Sequence, residues 1–399
     1  MNKIWCRTFQ AAFRMALPLL PYREPELLSS CGELGEALSR RRATAALIVT
    51  TAGSARRGQL TAAVAALDAA GLRHAVYDGV QPDPTVENVE EALALFHTEG
   101  CDALIAIGGG SAIDCAKAIG ARVACPKKPL GKLAGVMRVR RRIPTLVAVP
   151  TTAGTGSEVT VAAVITDAAK HHKYALMSFP LIPHCAVLDP ALTATMPKFL
   201  TATTGMDALT HAVEAYIGRS TTKKTRRLAL EATALIFGNI ERACQNGEDL
   251  EARQNMLLAA YRAGIAFSMS YVGYVHAIAH SVGGRYGVPH GLANAVILPH
   301  VLAGYGKSAH KKLHRLGIAA GVCNEADTHA EGARRFIDAV RAMNARIGIP
   351  TAIPEIRAED IPTLAAHAAR EANPLYPVPR LMNARELEAF YYEMAGMTE

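Results

Sequence analysis

Between Ala45 and Val149 the chain alternates short apolar runs with helical patterns, and no other feature limits its fold as much. Ala45–Thr50 reads as a buried strand, and Gln59–Ala70 as an Ala/Leu-rich helix stopped by Gly71. Arg73–Tyr77 is the next strand and Thr85–Glu99 the next helix. Ala103–Ile107 and Ala112–Val123 repeat the pair, and Thr145–Val149 adds a strand. This rhythm predicts a parallel sheet with helices on its faces. Val159–Thr166 and Lys173–Ser178 read as a hairpin with charged residues between its strands, and Val187–Pro190 ends this half. From about Pro197 strand signals nearly vanish. Helical periodicity covers Leu200–Ile217, Arg226–Cys244, Leu250–Ser268, Val275–Tyr286, Leu292–Tyr305 and Ala330–Ile347. Two domains follow as the expectation: α/β over 1–196 and all-helical over 197–399, facing each other across a cleft. At the N-terminus a strand is expected around Ile4–Arg7, then a short amphipathic segment packed on the body.

Composition excludes several classes. The net charge of +8 suggests nucleic acid, but the basic clusters (Arg40–Arg42, Lys127–Lys128, Arg138–Arg142, Lys223–Arg227) have no interleaved aromatic residues and no surrounding nucleic-acid motif. They read as solvated helix ends and loops, with a secondary role in attracting anions. The apolar stretch Met1–Leu20 carries Arg7 and Arg14, is broken by Pro18 and is too short to span a membrane. The eight cysteines form no Cys-x-x-Cys pair, which fits reduced thiols in a cytoplasmic protein.

Two loops follow strand ends. Gly108-Gly109-Gly110-Ser111-Ala112-Ile113-Asp114 comes after the third strand. Its glycines let the backbone turn sharply and approach a ligand without Cβ interference. Ser111 is expected to cap the following helix, with Asp114 three residues on as in a capping box. Outward amides at a helix N-terminus suit a pyrophosphate; the plainer alternative is a tight strand–helix turn. The run differs from Gly-x-Gly-x-x-Gly and does not follow the first strand, which argues against a standard Rossmann unit. Pro150-Thr151-Thr152-Ala153-Gly154-Thr155-Gly156-Ser157-Glu158 is a second, hydroxyl-rich wall suited to phosphate or ribose, or merely a loop.

The helical half holds the other constellation. Asp207 and His211 are four apart, as are His276 and His280, so each pair projects from one helix face. His290 lies in a Pro-His-Gly turn. One carboxylate and three imidazoles bind Fe²⁺ or Zn²⁺ and leave a position open for substrate. Spacing alone does not say which of His276 and His280 is the ligand, and a lone histidine on an apolar face is commonly a core residue.

Taken together, these motifs resemble the iron-containing, or group III, alcohol dehydrogenases. The likeness rests on Gly108–Lys117, Pro150–Glu158, Gly205–Tyr216 and Gly273–His300, and it runs over nearly the whole chain except the first forty residues. It implies a dehydroquinate-synthase-like fold, with a nucleotide-binding α/β domain and a helical metal-binding domain. It implies Asp207, His211, His276 and His290 as metal ligands, His280 beside the nicotinamide, and Phe267 as an apolar wall of the reaction site. Because a neutral imidazole both accepts and donates, His280 is the candidate proton route; the plainer alternative is a helix-face histidine bonded to a carbonyl. Cofactor contacts would be Gly109, Gly110, Ser111, Asp114, Thr151, Thr152, Thr155 and Lys173, with Asp83 near the adenosine end. The family often has Val-Thr-Asp after the first strand, and here Val49-Thr50-Thr51 lacks that carboxylate. The loss implies relaxed choice between NAD(H) and NADP(H), with Arg56 or Arg57 as partners of a 2′-phosphate; alternatively Thr51 bonds the ribose. The implied activity is hydride transfer between a nicotinamide cofactor and a small alcohol, diol or aldehyde, with iron favoured and zinc the alternative, in a homodimer. A maleylacetate reductase, a zinc-using glycerol dehydrogenase or a dehydroquinate-synthase-type lyase shares the fold, and a basic nucleic-acid-binding protein is the remote competitor.

Overall fold

The computed structural model describes residues 3–168 and 172–397, and it divides into two compact units. One unit is Pro21–Ala194; the other joins Met1–Leu20 to Thr195–Glu399. The helical unit resumes at Thr195, and the first twenty residues belong to it rather than to the α/β unit. They also form a helix, α1 (Lys3–Ala16), not a strand at Ile4–Arg7. Helical spacing puts Cys6 and Gln10 inward on one face, and Gln10 Nε2 donates to the carbonyls of Pro374 and Tyr376.

The α/β unit contains β1 (Glu26–Leu28), α2 (Leu34–Arg40), β2 (Ala45–Val49), α3 (Ala52–Arg56), α4 (Thr61–Ala69), β3 (Arg73–Tyr77), α5 (Val86–Thr98), β4 (Ala103–Gly108), α6 (Gly110–Ala124), β5 (Gly135–Val136), β6 (Thr145–Pro150), β7 (Ala162–Asp167), β8 (His172–Met177) and β9 (Cys185–Val187). Six strands form a parallel sheet in the order β1-β9-β6-β4-β2-β3. Strands buried on both faces need apolar residues at every position, which is what Ala-Ala-Leu-Ile-Val and Ala-Leu-Ile-Ala-Ile supply. Leu47, Val49, Leu104, Ala106, Leu146 and Ala148 point to the core shared with α5 and α6, while Ile48, Ile105, Ile107, Val147 and Val149 point to the one shared with α2 and α4. The expected hairpin is present as antiparallel β7 and β8; its intervening residues 169–171 lie outside the described set.

Connections run from β2 to β3 on one side and then back past β2 to β4, so the strand order reverses between β2 and β4. Ligands of open α/β sheets sit at the carboxyl ends of strands around such a point. The glycine-rich and hydroxyl-rich loops leave the carboxyl ends of β4 and β6, which are sheet neighbours in register from Ala103↔Thr145 to Gly108↔Pro150.

The helical unit continues with α7 (Lys198–Ile217), α8 (Lys223–Gln245), α9 (Leu250–Ser270), α10 (Tyr274–Tyr286), α11 (His290–Gly304), α12 (His310–Ala319), α13 (His329–Ile347), α14 (Ile361–Ala372) and α15 (Ala384–Ala395). Helix α7 is buried nearly all round from Thr201 to Ile217, so it is the central helix of this unit. Lys312 Nζ donates to the carbonyls of Ile217 and Gly218, satisfying orphan acceptors at its C-terminus. No helix among the described residues is long and apolar enough to cross a membrane.

Candidate active site

In the α/β unit the two loops are in close contact. Thr151 N donates to Gly108 O at 2.9 Å. A Cβ on Gly109 would stand 3.3 Å from Thr152 Oγ1, and one on Gly110 would stand 3.0 Å from Thr155 Cγ2. The glycines thus allow the hydroxyl-rich loop to lie directly against the helix N-terminus. The expected capping box is not formed. Helix α6 starts at Gly110, its N-cap is Gly109 and no side chain caps it, so Ser111 is already inside the first turn. Asp114 turns the other way: Oδ1 accepts from Ser157 Oγ at 2.6 Å and Oδ2 from Val164 N at 2.9 Å.

Lys117, one turn below and fully buried, was not singled out by sequence spacing. Its Nζ donates to Ser157 Oγ, Thr160 Oγ1, Thr160 O and Ala162 O at 2.8–3.1 Å. Burial lowers its pKa to about 8, against the opposing charges of Asp114 and Glu158. Asp114 and Lys117 therefore tie α6 to the second loop and β7, while the first amides of α6 have no side-chain cap.

Three more cofactor-contact candidates are engaged with other groups. Thr51 Oγ1 caps α3 by accepting from Ser54 N at 3.1 Å. Lys173 Nζ and Asp83 Oδ2 pair with each other at 2.7 Å, both well exposed. Asp83 holds φ 57°, and it stands two residues before the N-cap of α5 at Thr85. Arg56 and Arg57 are exposed at the end of α3.

In the helical unit, Asp207 on α7, His276 on α10 and His290 at the start of α11 each offer a ligand atom, and these atoms lie within 4.8 Å of one another. Asp207 and His276 are buried and His290 is 40% exposed, so the group has one open side. The close approach of α11 to α7 depends on Gly291, where a Cβ would stand 2.5 Å from Thr203 O. Burial, then the neighbouring imidazoles of His211, His290 and His280, hold His276 well below its ordinary pKa, in the neutral form that coordinates metals. His211 is outside the 4.8 Å set. Its ring stacks on Phe267 at 4.1 Å and on His276 at 4.6 Å between centroids, so it stands beside the group. His280 is also outside: Nδ1 bonds Glu371 Oε1 at 2.7 Å, and its ring stacks on His290 at 5.2 Å.

Other residues complete this arrangement. Glu214 Oε2 accepts from His276 Nδ1 at 2.6 Å and from Gly273 N, and Oε1 accepts from Val275 N. That bond fixes the tautomer and leaves His276 Nε2 as the free lone pair. Burial raises Glu214 to about 7, against the three donors that favour its charge. Asp207, His211 and Glu214 fall at i, i+4 and i+7, so one helical face was a signal for Glu214. Asn294, one turn after His290, sends Nδ2 toward Asp207 Oδ1 at 2.7 Å, His290 Nε2 at 3.0 Å and His276 Nε2 at 3.4 Å. Three acceptors thus converge on one point, as a cation requires. Glu371, ninety-one residues after His280, had no sequence signal.

Comparison with known proteins identifies the family. Residues 28–190 match the model of iron-containing alcohol dehydrogenases, and residues 201–395 match that of the C-terminal region of the Fe-containing alcohol dehydrogenase family. The 1,3-propanediol dehydrogenase of Klebsiella pneumoniae is 37% identical over 384 residues, 95% of this chain and 98% of its own. The chain belongs to the iron-containing alcohol dehydrogenase family. The NAD-dependent methanol dehydrogenase of Bacillus methanolicus is 40% identical over 338 residues, 84% of this chain and 88% of its own. A crystal structure of 1,3-propanediol oxidoreductase superposes with a TM-score of 0.90 at 36% identity, covering 94% of this chain and 99% of that one. As a family member the chain is an oxidoreductase of alcohols and aldehydes, with the parallel-sheet and helical halves typical of the family. The donor chemistry fits a divalent metal: one carboxylate and two neutral imidazoles, of which His276 is oriented by the buried Glu214, suit Fe²⁺ or Zn²⁺.

Proposed function

We propose that this chain interconverts small primary alcohols or diols with their aldehydes, using NAD(H) and one divalent cation held by Asp207, His276, His290 and His211. The observation that carries the reading is the convergence of the Asp207, His276 and His290 donors within 4.8 Å on an open-sided buried group. His211 is the fourth donor, one turn from Asp207 and stacked against His276. Iron is the metal the family description favours, and zinc suits the same donors. The bound cation would supply Lewis acidity toward the substrate oxygen, and the nicotinamide supplies or accepts the hydride.

The chain's own residues do the rest. Glu214 holds His276 in one tautomer. Phe267, against His211, gives the reaction site an apolar wall. His280 carries the proton: its Nδ1 is on Glu371, Glu371 also accepts from Tyr376 Oη at 2.7 Å, and 45% of the imidazole side chain is exposed. A relay from ring to carboxylate to solvent follows. In the α/β unit the amides of Gly110 and Ser111 receive the pyrophosphate, with the Thr151, Thr152 and Thr155 hydroxyls alongside. Asp83 and Lys173, paired outside that turn, line the adenosine end. The enzyme works as a cytoplasmic homodimer.

A panel of alcohols and aldehydes, assayed with NADH and NADPH on anaerobically purified protein given Fe²⁺ or Zn²⁺, tests the reading. Propane-1,3-diol or a short aldehyde should turn over with net consumption of reduced or oxidised cofactor. No turnover of any panel member with either metal would end the proposal.

A further inference from the structure

A second group of metal-binding side chains stands apart from the one above, at the turn joining α12 to α13. His314, Cys323 and Asp327 each offer a ligand atom, and these lie within 4.8 Å of one another. His329 adds a second imidazole, with Nδ1 3.1 Å from His314 Nδ1. We propose that this turn is a structural Zn²⁺ site, with His314, Cys323, Asp327 and His329 as its four ligands.

Four observations support it. The donor set of one thiol, two imidazoles and one carboxylate is of the kind that holds tetrahedral zinc. Two nitrogens each about 2.0–2.1 Å from a tetrahedral zinc lie roughly 3.3 Å apart, which the 3.1 Å separation approaches. His314 Nε2 faces Asn324 O at 2.8 Å. A ring that donates one N–H to a backbone carbonyl presents its other nitrogen as a lone pair, the usual second bond of a metal-bound histidine. Last, the helices are hollowed to receive the ligands: a Cβ at Gly332 would run into the His314 ring, and one at Gly317 into Cys323 Sγ. Asp327 Oδ2 is meanwhile steadied by Asn324 N and Arg335. Zinc binding would release the Cys323 thiol proton.

The alternative occupant of the 3.1 Å contact is a proton, with His329 Nδ1–H donating to His314. Titration of chelator-stripped, reduced, full-length protein with Co²⁺ as a zinc surrogate separates the two. The Asp207 group contains no sulfur, so a thiolate-to-cobalt charge-transfer band reports the α12–α13 turn alone. We expect two metal equivalents and that band in the wild type. Cys323→Ser should lose the band and one of the two equivalents, and keep its alcohol-dependent turnover. A wild type with one equivalent and no band overturns the proposal, as does a Cys323→Ser protein that keeps both. If Cys323→Ser does not fold, alkylation of the wild type decides. Zinc should shield Cys323 from iodoacetamide, read by peptide mass spectrometry, and an unshielded Cys323 rejects the site.

Discussion

Glu214 touches no substrate in this account, yet the site depends on it. It is fully buried, it holds the Nδ1–H of His276, and its two oxygens also take the amides that open α10. Glu214→Gln keeps the shape but removes the charge, and the amide's N–H₂ would face a donor. Loss of such an outer partner lowers metal affinity by about 10–100-fold. A competition titration of the stripped variant against a metal indicator should read that loss, and unchanged affinity would remove Glu214 from the account. In the proposed nucleotide placement, Thr51 takes the position at which a carboxylate would repel a 2′-phosphate. Because its hydroxyl already caps α3, an aspartate, itself a good N-cap, is tolerated there. Thr51→Asp should raise the kcat/KM preference for NAD(H) over NADP(H) by about tenfold, equal to roughly 1.4 kcal/mol. An unchanged, already strong NAD preference would show that position 51 does not set the choice.

Helices rather than single residues bring the donors together. Helix α7 supplies Asp207, α10 supplies His276, and α11 brings in His290 because Gly291 lets it press on the Thr203 carbonyl. Gly291→Ala would force the two helices apart, at about 1–3 kcal/mol, and carry His290 away from Asp207. Lower thermal stability together with metal affinity reduced by about tenfold is the expected pair of readouts; a stability loss with full affinity would mean the helices can separate without opening the site. Element by element, much of this was legible in advance. Apolar runs with period-free burial gave β2, β4 and β6 within a residue or so, because a sheet covered on both faces leaves no other pattern. The start of the N-terminal helix reads as a strand in the sequence, since the four residues Ile4–Arg7, apolar and basic, fit either period over so short a window. The cap of α6 was also misplaced: helix onset at Gly110 is a backbone event, and three glycines leave it unmarked.

For the whole chain, sequence spacing brought out the right helices but not the distances among their side chains. Four residues apart on α7 put Asp207 and His211 on one face, while tertiary packing turned His211 onto Phe267 and His276 and filled the centre with Asn294. Glu371 and Tyr376, which hold His280, reach it from a distant part of the chain, and α1 in turn grips the carbonyls of Pro374 and Tyr376. Contacts across such sequence separations follow no period and so left no trace in the pattern. The proposed function requires one divalent cation at the Asp207 group for hydride transfer. Its most direct test compares wild type and Asp207→Ala, both stripped with chelator and then given Fe²⁺ or Zn²⁺ under anaerobic conditions, with propane-1,3-diol and NAD⁺. Metal should restore NADH formation to the wild type and leave the folded variant inactive; full turnover by stripped Asp207→Ala would overturn the proposed metal requirement.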